Sequence, residues 1–173
     1  MQIEKGEYME KKLYRAQICV AIIAFIFFII MLFVTQNKEP TTSLTPREIE
    51  LIERVVECEV RGNDEKDYEA KLAVANVILN RYHSDYWEFP DTIEEIIFQK
   101  NQFTPASSNI FYTIEISDVT KRAVEDAIKG KRVIDSDVYA FCTIDCANRD
   151  WFEENLVYYG RVGPHVFYSY EEE

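Results

Sequence analysis

Seventeen consecutive apolar residues, Ile18 to Val34, stand apart from a chain whose remaining apolar positions recur at helical or strand spacing. As a helix the run would span about 25 Å, near the lower limit for crossing a hydrocarbon core. A small domain has no interior able to cover a helix that is apolar on every side. A cleaved signal peptide would carry a shorter apolar core and a small-x-small exit, whereas this chain leaves through Phe33-Val34-Thr35-Gln36-Asn37. The pattern predicts a transmembrane signal-anchor helix over 18–35, with a short tail over 1–17 and a polar linker over 36–44. Lys5, Lys11, Lys12 and Arg15 precede the run, and only Lys38 follows closely. Basic residues stay inside, so the tail is expected in the cytoplasm and the rest of the chain outside it.

Beyond the linker the period becomes helical. Thr45-Pro46-Arg47-Glu48 has the form of a capping box with proline at the first helical position, and the helix is expected to run to about Arg61, closed by Gly62. Leu72, Ala75, Ile78, Leu79 and Tyr82 recur at helical spacing over 68–82, interleaved with Ala73, Val74 and Val77, which makes this helix central. Shorter helices are expected over 92–99, with Asp91 as cap, and over 118–129, between Ser117 and Gly130. Residues 101–112 read as irregular. Val138-Tyr139-Ala140-Phe141 and Val157-Tyr158-Tyr159 read as strands, and Val162 to Tyr168 as a hairpin around Gly163-Pro164. Helices first and a small sheet last give an α+β domain over 45–173.

Charge sharpens this division. The chain holds 19 basic and 31 acidic side chains, a net charge of −12. Residues 41–173 hold 14 and 27 of them, so the outer domain alone carries −13. Such a domain lacks the basic face that phosphate backbones need, and nucleic acid is not an expected partner.

One acid breaks the helical pattern. On the wheel of the first helix, with Ile52 at zero, Val56 falls at about 40°, Ile49 at about 60° and Val55 at about −60°. Glu59 falls at about −20°, in the middle of that apolar stripe, while Glu50, Glu53 and Glu57 lie off its centre. A carboxylate on a core face must be paired, protonated or at a frayed end. Pairing with Arg81 on the central helix is one reading. A general acid with a raised pKa is the other.

The residues around Glu59 resemble the SleB-type cell wall hydrolases, the spore cortex-lytic enzyme family, over about residues 51–168. Val55-Val56-Glu57-Cys58-Glu59-Val60-Arg61-Gly62 is similar to the family's AEARGE helix end. The central helix ends in Ile78-Leu79-Asn80-Arg81, like the family's ILNR. Phe89-Pro90-Asp91-Thr92-Ile93 followed by Asn101-Gln102-Phe103-Thr104 resembles FPxTI…QF, and Gly163-Pro164-His165-Val166-Phe167-Tyr168 resembles G-x-H-x-F-Y. The resemblance implies a lysozyme-like or lytic-transglycosylase-like fold, peptidoglycan glycan strands as substrate, no cofactor, and Glu59 as the catalytic acid. The chain departs from AEARGE at Cys58, Val60 and Asn63, which alters packing and removes a charge beside the acid.

Most glycosidases use two carboxylates. Asp67, Asp85, Asp91, Asp145 and Asp150 all read as loop, cap or surface residues, so the reading is a single-acid mechanism in which the muramic acid C6 hydroxyl is the nucleophile. Asn80, Gln102, Phe103 and Tyr139 are the expected substrate-binding residues: amides for hydrogen bonds, aromatic rings for sugar faces. His165 is expected to hold the hairpin by hydrogen bonds, and no metal site is expected from two histidines. Cys142 and Cys146 have the spacing of a small disulfide loop, and Cys58 reads as a buried thiol. A cysteine peptidase or amidase using Cys58 or Cys142 with His165, and a wall-binding scaffold without catalysis, are the rival functions.

Overall fold

The computed structural model describes residues 44–86 and 88–170. The expected tail and membrane anchor, most of the linker, and Cys19 lie outside the described residues. Among the described residues no helix is long and apolar enough to cross a membrane.

Helix α1 covers Pro46–Glu59. Its capping box is formed: the Thr45 hydroxyl accepts from the Glu48 amide, and the Glu48 carboxylate accepts from the Thr45 amide at 2.7 Å. Leu51, Ile52, Val55 and Val56 are buried along one stripe. The helix stops two residues before the expected end, because Val60 leaves helical geometry while its amide still reaches the Val56 carbonyl. Helix α2 covers Tyr68–His83, and every residue from Ala70 to Arg81 is buried. Each fully buried aliphatic side chain here is worth about 1.5–3 kcal/mol.

The polar residues of α2 are the stitching between helix and sheet. The Asn76 amide donates to the Lys131 carbonyl and accepts from the Val133 amide. The Asn80 amide donates to the Asp135 and Val138 carbonyls, both at 2.8 Å. Arg81 Nε donates to the Tyr139 carbonyl at 2.7 Å. Asn76 and Asn80, one turn apart on the same face, thus hold the approach to the first strand, and Arg81 ties down Tyr139 within it.

Helix α3 covers Ile93–Phe98 and is capped by Thr92 rather than Asp91. The stretch expected to be irregular contains a 3-10 turn, Thr104–Ser107, and helix α4, Asn109–Thr113, both too short to show a period. Helix α5 covers Asp118–Ile128 with Ser117 as cap. Strand β1 covers Val138–Thr143. Helix α6, Arg149–Asn155, was not expected: it buries none of its residues, so no apolar period marks it.

Strands β2, Val157–Val162, and β3, His165–Ser169, form the expected hairpin. The antiparallel sheet has the order β1-β3-β2, with Phe141 opposite Phe167 and Val162 opposite His165. All five β3 residues are buried. Gly163 turns the hairpin at φ 57°, and a Cβ there would lie 2.9 Å from the Ala70 Cβ on α2. The turn is therefore seated against the central helix at a distance only glycine permits.

Candidate active site

The carboxyl end of α1 carries two acids, two residues apart, with opposite surroundings. Glu57 is 4% exposed and fully engaged. Its carboxylate accepts from the Ser117 hydroxyl at 2.6 Å, the Thr120 hydroxyl at 2.5 Å, and the amides of Ser117 and Gly62 at 3.0 and 3.1 Å. Lys71 Nζ stands 3.2 Å away and also donates to the Val60 carbonyl and the Thr120 hydroxyl. Burial pushes the Glu57 carboxyl up, but the hydrogen bonds from Ser117, Thr120 and Gly62 outweigh it and hold it at about 2. Glu57 also lies at the amino end of α5, where the helix dipole favours negative charge. Gly62, at φ 115°, turns its amide toward the carboxylate.

Glu59 has none of this. Its side chain is half-buried. Among the described residues its carboxylate has no hydrogen-bond or ion-pair partner, and burial pushes its pKa up to about 7. It is the last residue of α1, whose final turn holds no basic residue, so the negative end of the helix dipole acts in the same direction. The alternative reading, pairing with Arg81, does not form: Arg81 is bonded to the Tyr139 carbonyl. Burial also raises Glu53, but the Lys121 and Arg54 charges oppose it. Asp85, Asp91, Asp145 and Asp150 are exposed and Asp67 is half-buried, as their reading as loop and cap residues required.

The expected binding residues separate. Gln102 is exposed and lines a cavity of about 580 Å³ together with Arg81, Phe141, Asn148 and Trp151. Glu59 is not among the residues lining it. Phe103 is 4% exposed and packs against the Arg81 guanidinium and the Phe141 ring, which makes it core rather than a sugar platform. Asn80 is buried, and its amide is committed to two backbone carbonyls and to Arg132, leaving nothing for a substrate. Tyr139 is half-buried in an aromatic cluster with Phe89 and Tyr170 and does not line the cavity.

His165 is fully buried, its ring edge-on to Phe141 at 5.0 Å, and neither nitrogen has a partner among the described residues. Burial pulls its pKa down to about 4, so it is a neutral packing group and not the hydrogen-bonding anchor expected. Cys58, Cys142 and Cys146 are free thiols, so the small loop that the spacing of Cys142 and Cys146 allows is not closed by a disulfide. Burial raises Cys58 and pushes Cys142 up to about 12, the opposite of a nucleophilic thiolate. Sequence reasoning missed the Glu57–Lys71 cage. The available signal was Lys71, a cation inside a helix otherwise buried nearly all round.

Comparison with known proteins follows the same ground. The family model described as Cell Wall Hydrolase matches residues 65–168, beginning six residues beyond Glu59. The spore cortex-lytic enzyme of Oceanobacillus iheyensis is 34% identical over 120 residues, covering 69% of this chain and 41% of the relative. That of Bacillus subtilis is 32% identical over 120 residues, covering 69% and 37%. The chain thus spans about two fifths of the length of these curated relatives. The crystal structure of the catalytic domain of the Bacillus cereus SleB protein superposes with a TM-score of 0.63 at 27% identity, covering 77% of this chain and 99% of that one. The catalytic domain of the germination-specific lytic transglycosylase SleB from Bacillus anthracis gives 0.63 at 28% identity, covering 74% and 98%.

Proposed function

The chain belongs to the Cell Wall Hydrolase family, and from that premise we propose that it cleaves the glycan strand of peptidoglycan with Glu59 as its single acid and base. The observation that carries the reading is the Glu59 carboxyl: unpartnered, desolvated and raised to about 7, so that it is substantially protonated near neutrality. Glu59 protonates the glycosidic oxygen as the C1–O bond of muramic acid breaks. The resulting carboxylate takes the proton of the C6 hydroxyl, whose oxygen closes on C1 to give a 1,6-anhydro sugar. This is a lytic transglycosylase outcome, supported by the lack of a second acid in a comparable environment among the described residues. The likeness to SleB catalytic domains supports the same chemistry on a lysozyme-like scaffold.

The apolar run over 18–35 and the basic residues before it support a single-pass membrane anchor with the amino terminus in the cytoplasm and the hydrolase domain outside. Spore cortex is the substrate implied by the names of the relatives.

Mass spectrometry of digested peptidoglycan tests the reading. Anhydro-muropeptides released by the wild type and absent with Glu59→Gln are the expected result. Reducing ends would replace transglycosylation by hydrolysis. Cleaved peptides abolished by thiol alkylation would establish the cysteine enzyme, and no product at all would leave a scaffold. Glycan release that persists in Glu59→Gln would remove Glu59 from the mechanism.

A further inference from the structure

The cavity bounded by Gln102, Asn148 and Trp151 has a charge pattern unlike the rest of the molecule. Its lining includes two cations, Arg81 and Lys100, and no carboxylate, in a chain with 31 acids and 19 bases. Its volume, about 580 Å³, is in the range that holds small ligands. Arg81 is 4% exposed and has no acidic partner among the described residues. Its guanidinium carbon stands 5.4 Å from the centroid of the Phe89 ring and 5.2 Å from that of Phe103. Nε is bonded to the Tyr139 carbonyl, and Nη1 is buried with no partner at all among the described residues. Buried polar groups are nearly always satisfied, and a buried cation without a counter-ion is the more costly exception. Burial draws its pKa down to about 10, which still leaves it charged at neutral pH.

A guanidinium held in place by two rings and a backbone carbonyl, with no carboxylate of its own, is a fixed positive charge that suits a carboxylate. Peptidoglycan offers that group where muramic acid keeps its lactyl-linked peptide, which ends in a carboxylate. We propose that this cavity is an anion subsite that takes the carboxylate of the muramic acid peptide side chain, with Arg81 as its counter-ion and Lys100 beside it. The amides of Gln102 and Asn148 supply neutral hydrogen bonds, and the half-exposed Trp151 ring gives the apolar part of the substituent a flat wall. The proposal rests on peptidoglycan as substrate and adds the part of it that selects among strands.

The test compares N-acetylmuramyl-L-alanine with its carboxamide in NMR titrations of the full chain. The expected result is a preference of about tenfold or more for the carboxylate, lost in Arg81→Gln, reduced in Lys100→Gln and unchanged in Glu59→Gln. Equal affinity, no binding of either compound, or inorganic phosphate binding as tightly as the carboxylate would overturn it. Arg81→Gln also removes the bond to Tyr139, so if that variant fails to fold, the ligand comparison on the unaltered chain and Lys100→Gln decide. Glycan release is measured in parallel. The preference without release would sink the hydrolase reading and leave the anion subsite standing, whereas release without the preference would do the reverse.

Discussion

Replacing Glu59 by glutamine should make the protein inactive and, above neutral pH, more stable. A carboxyl moved from 4.5 to about 7 prefers its neutral form by about 3 kcal/mol. Because the side chain keeps some contact with solvent, that figure is a ceiling. The folded-state value is raised, so the folded protein binds this proton more tightly than the unfolded chain does. The carboxylate therefore costs nothing below about pH 4.5, increasingly more as the pH rises to about 7, and its full penalty above. Glutamine has the same shape and no charge at any pH. The variant should match the wild type at about pH 4 and gain up to about 3 kcal/mol at about pH 8. For a domain of this size that is a rise of about 10 °C in Tm. Thermal denaturation followed by far-UV circular dichroism at both pH values reads the difference directly. Glycan cleavage should fall by about 10²-fold or more in the same variant. An unchanged Tm at the higher pH, or an equal gain at both, would refute the claim that Glu59 is held desolvated and unpaired.

Glu57 should behave in the opposite sense: its folded value is lowered, so its contribution is present above about pH 4.5 and lost as the pH falls toward about 2. Glu57→Gln strands the Lys71 ammonium in the core and should cost about 3–5 kcal/mol in urea unfolding, largely recovered when Lys71→Met is added. Gly163→Ala should lower the urea midpoint by about 2 kcal/mol of stability, since the turn needs positive φ and the new methyl would press on Ala70.

What the sequence made legible was local. Thr45, Pro46 and Glu48 announce the start of α1, and the apolar period announces α2, because both signals lie within one or two turns. Helix α6 was invisible because all its residues remain accessible and no period was written into it. The wheel of α1 places Glu57 off the centre of the apolar stripe, yet it is the more buried of the two acids. Its cage is built by Ser117 and Thr120, sixty residues on, and a single helix wheel contains no such partner. Glu59 stood out because its anomaly is a mismatch with its own helix. Asn80 and Phe103 were read as ligand groups from their chemistry, whereas α2 uses Asn80 to hold the approach to β1 and Phe103 supports Arg81. Arg81 itself looked like a partner for Glu59, and the geometry assigns it to the cavity instead.

The strand order bears on how the domain is made. β3 is the last strand of the sheet in sequence and the middle one in space, and β1 and β2 do not pair with each other. As the chain emerges, β1 must wait through more than twenty residues with its edge open, and β2 has no neighbour until β3 follows it. The sheet therefore closes in one late event, when His165 to Ser169 slide between two waiting edges. Until then the helices can assemble, but the β3 side chains His165 and Phe167 that pack against the Phe141 ring are absent. A chain cut short of His165 would lose the whole sheet rather than one strand of it.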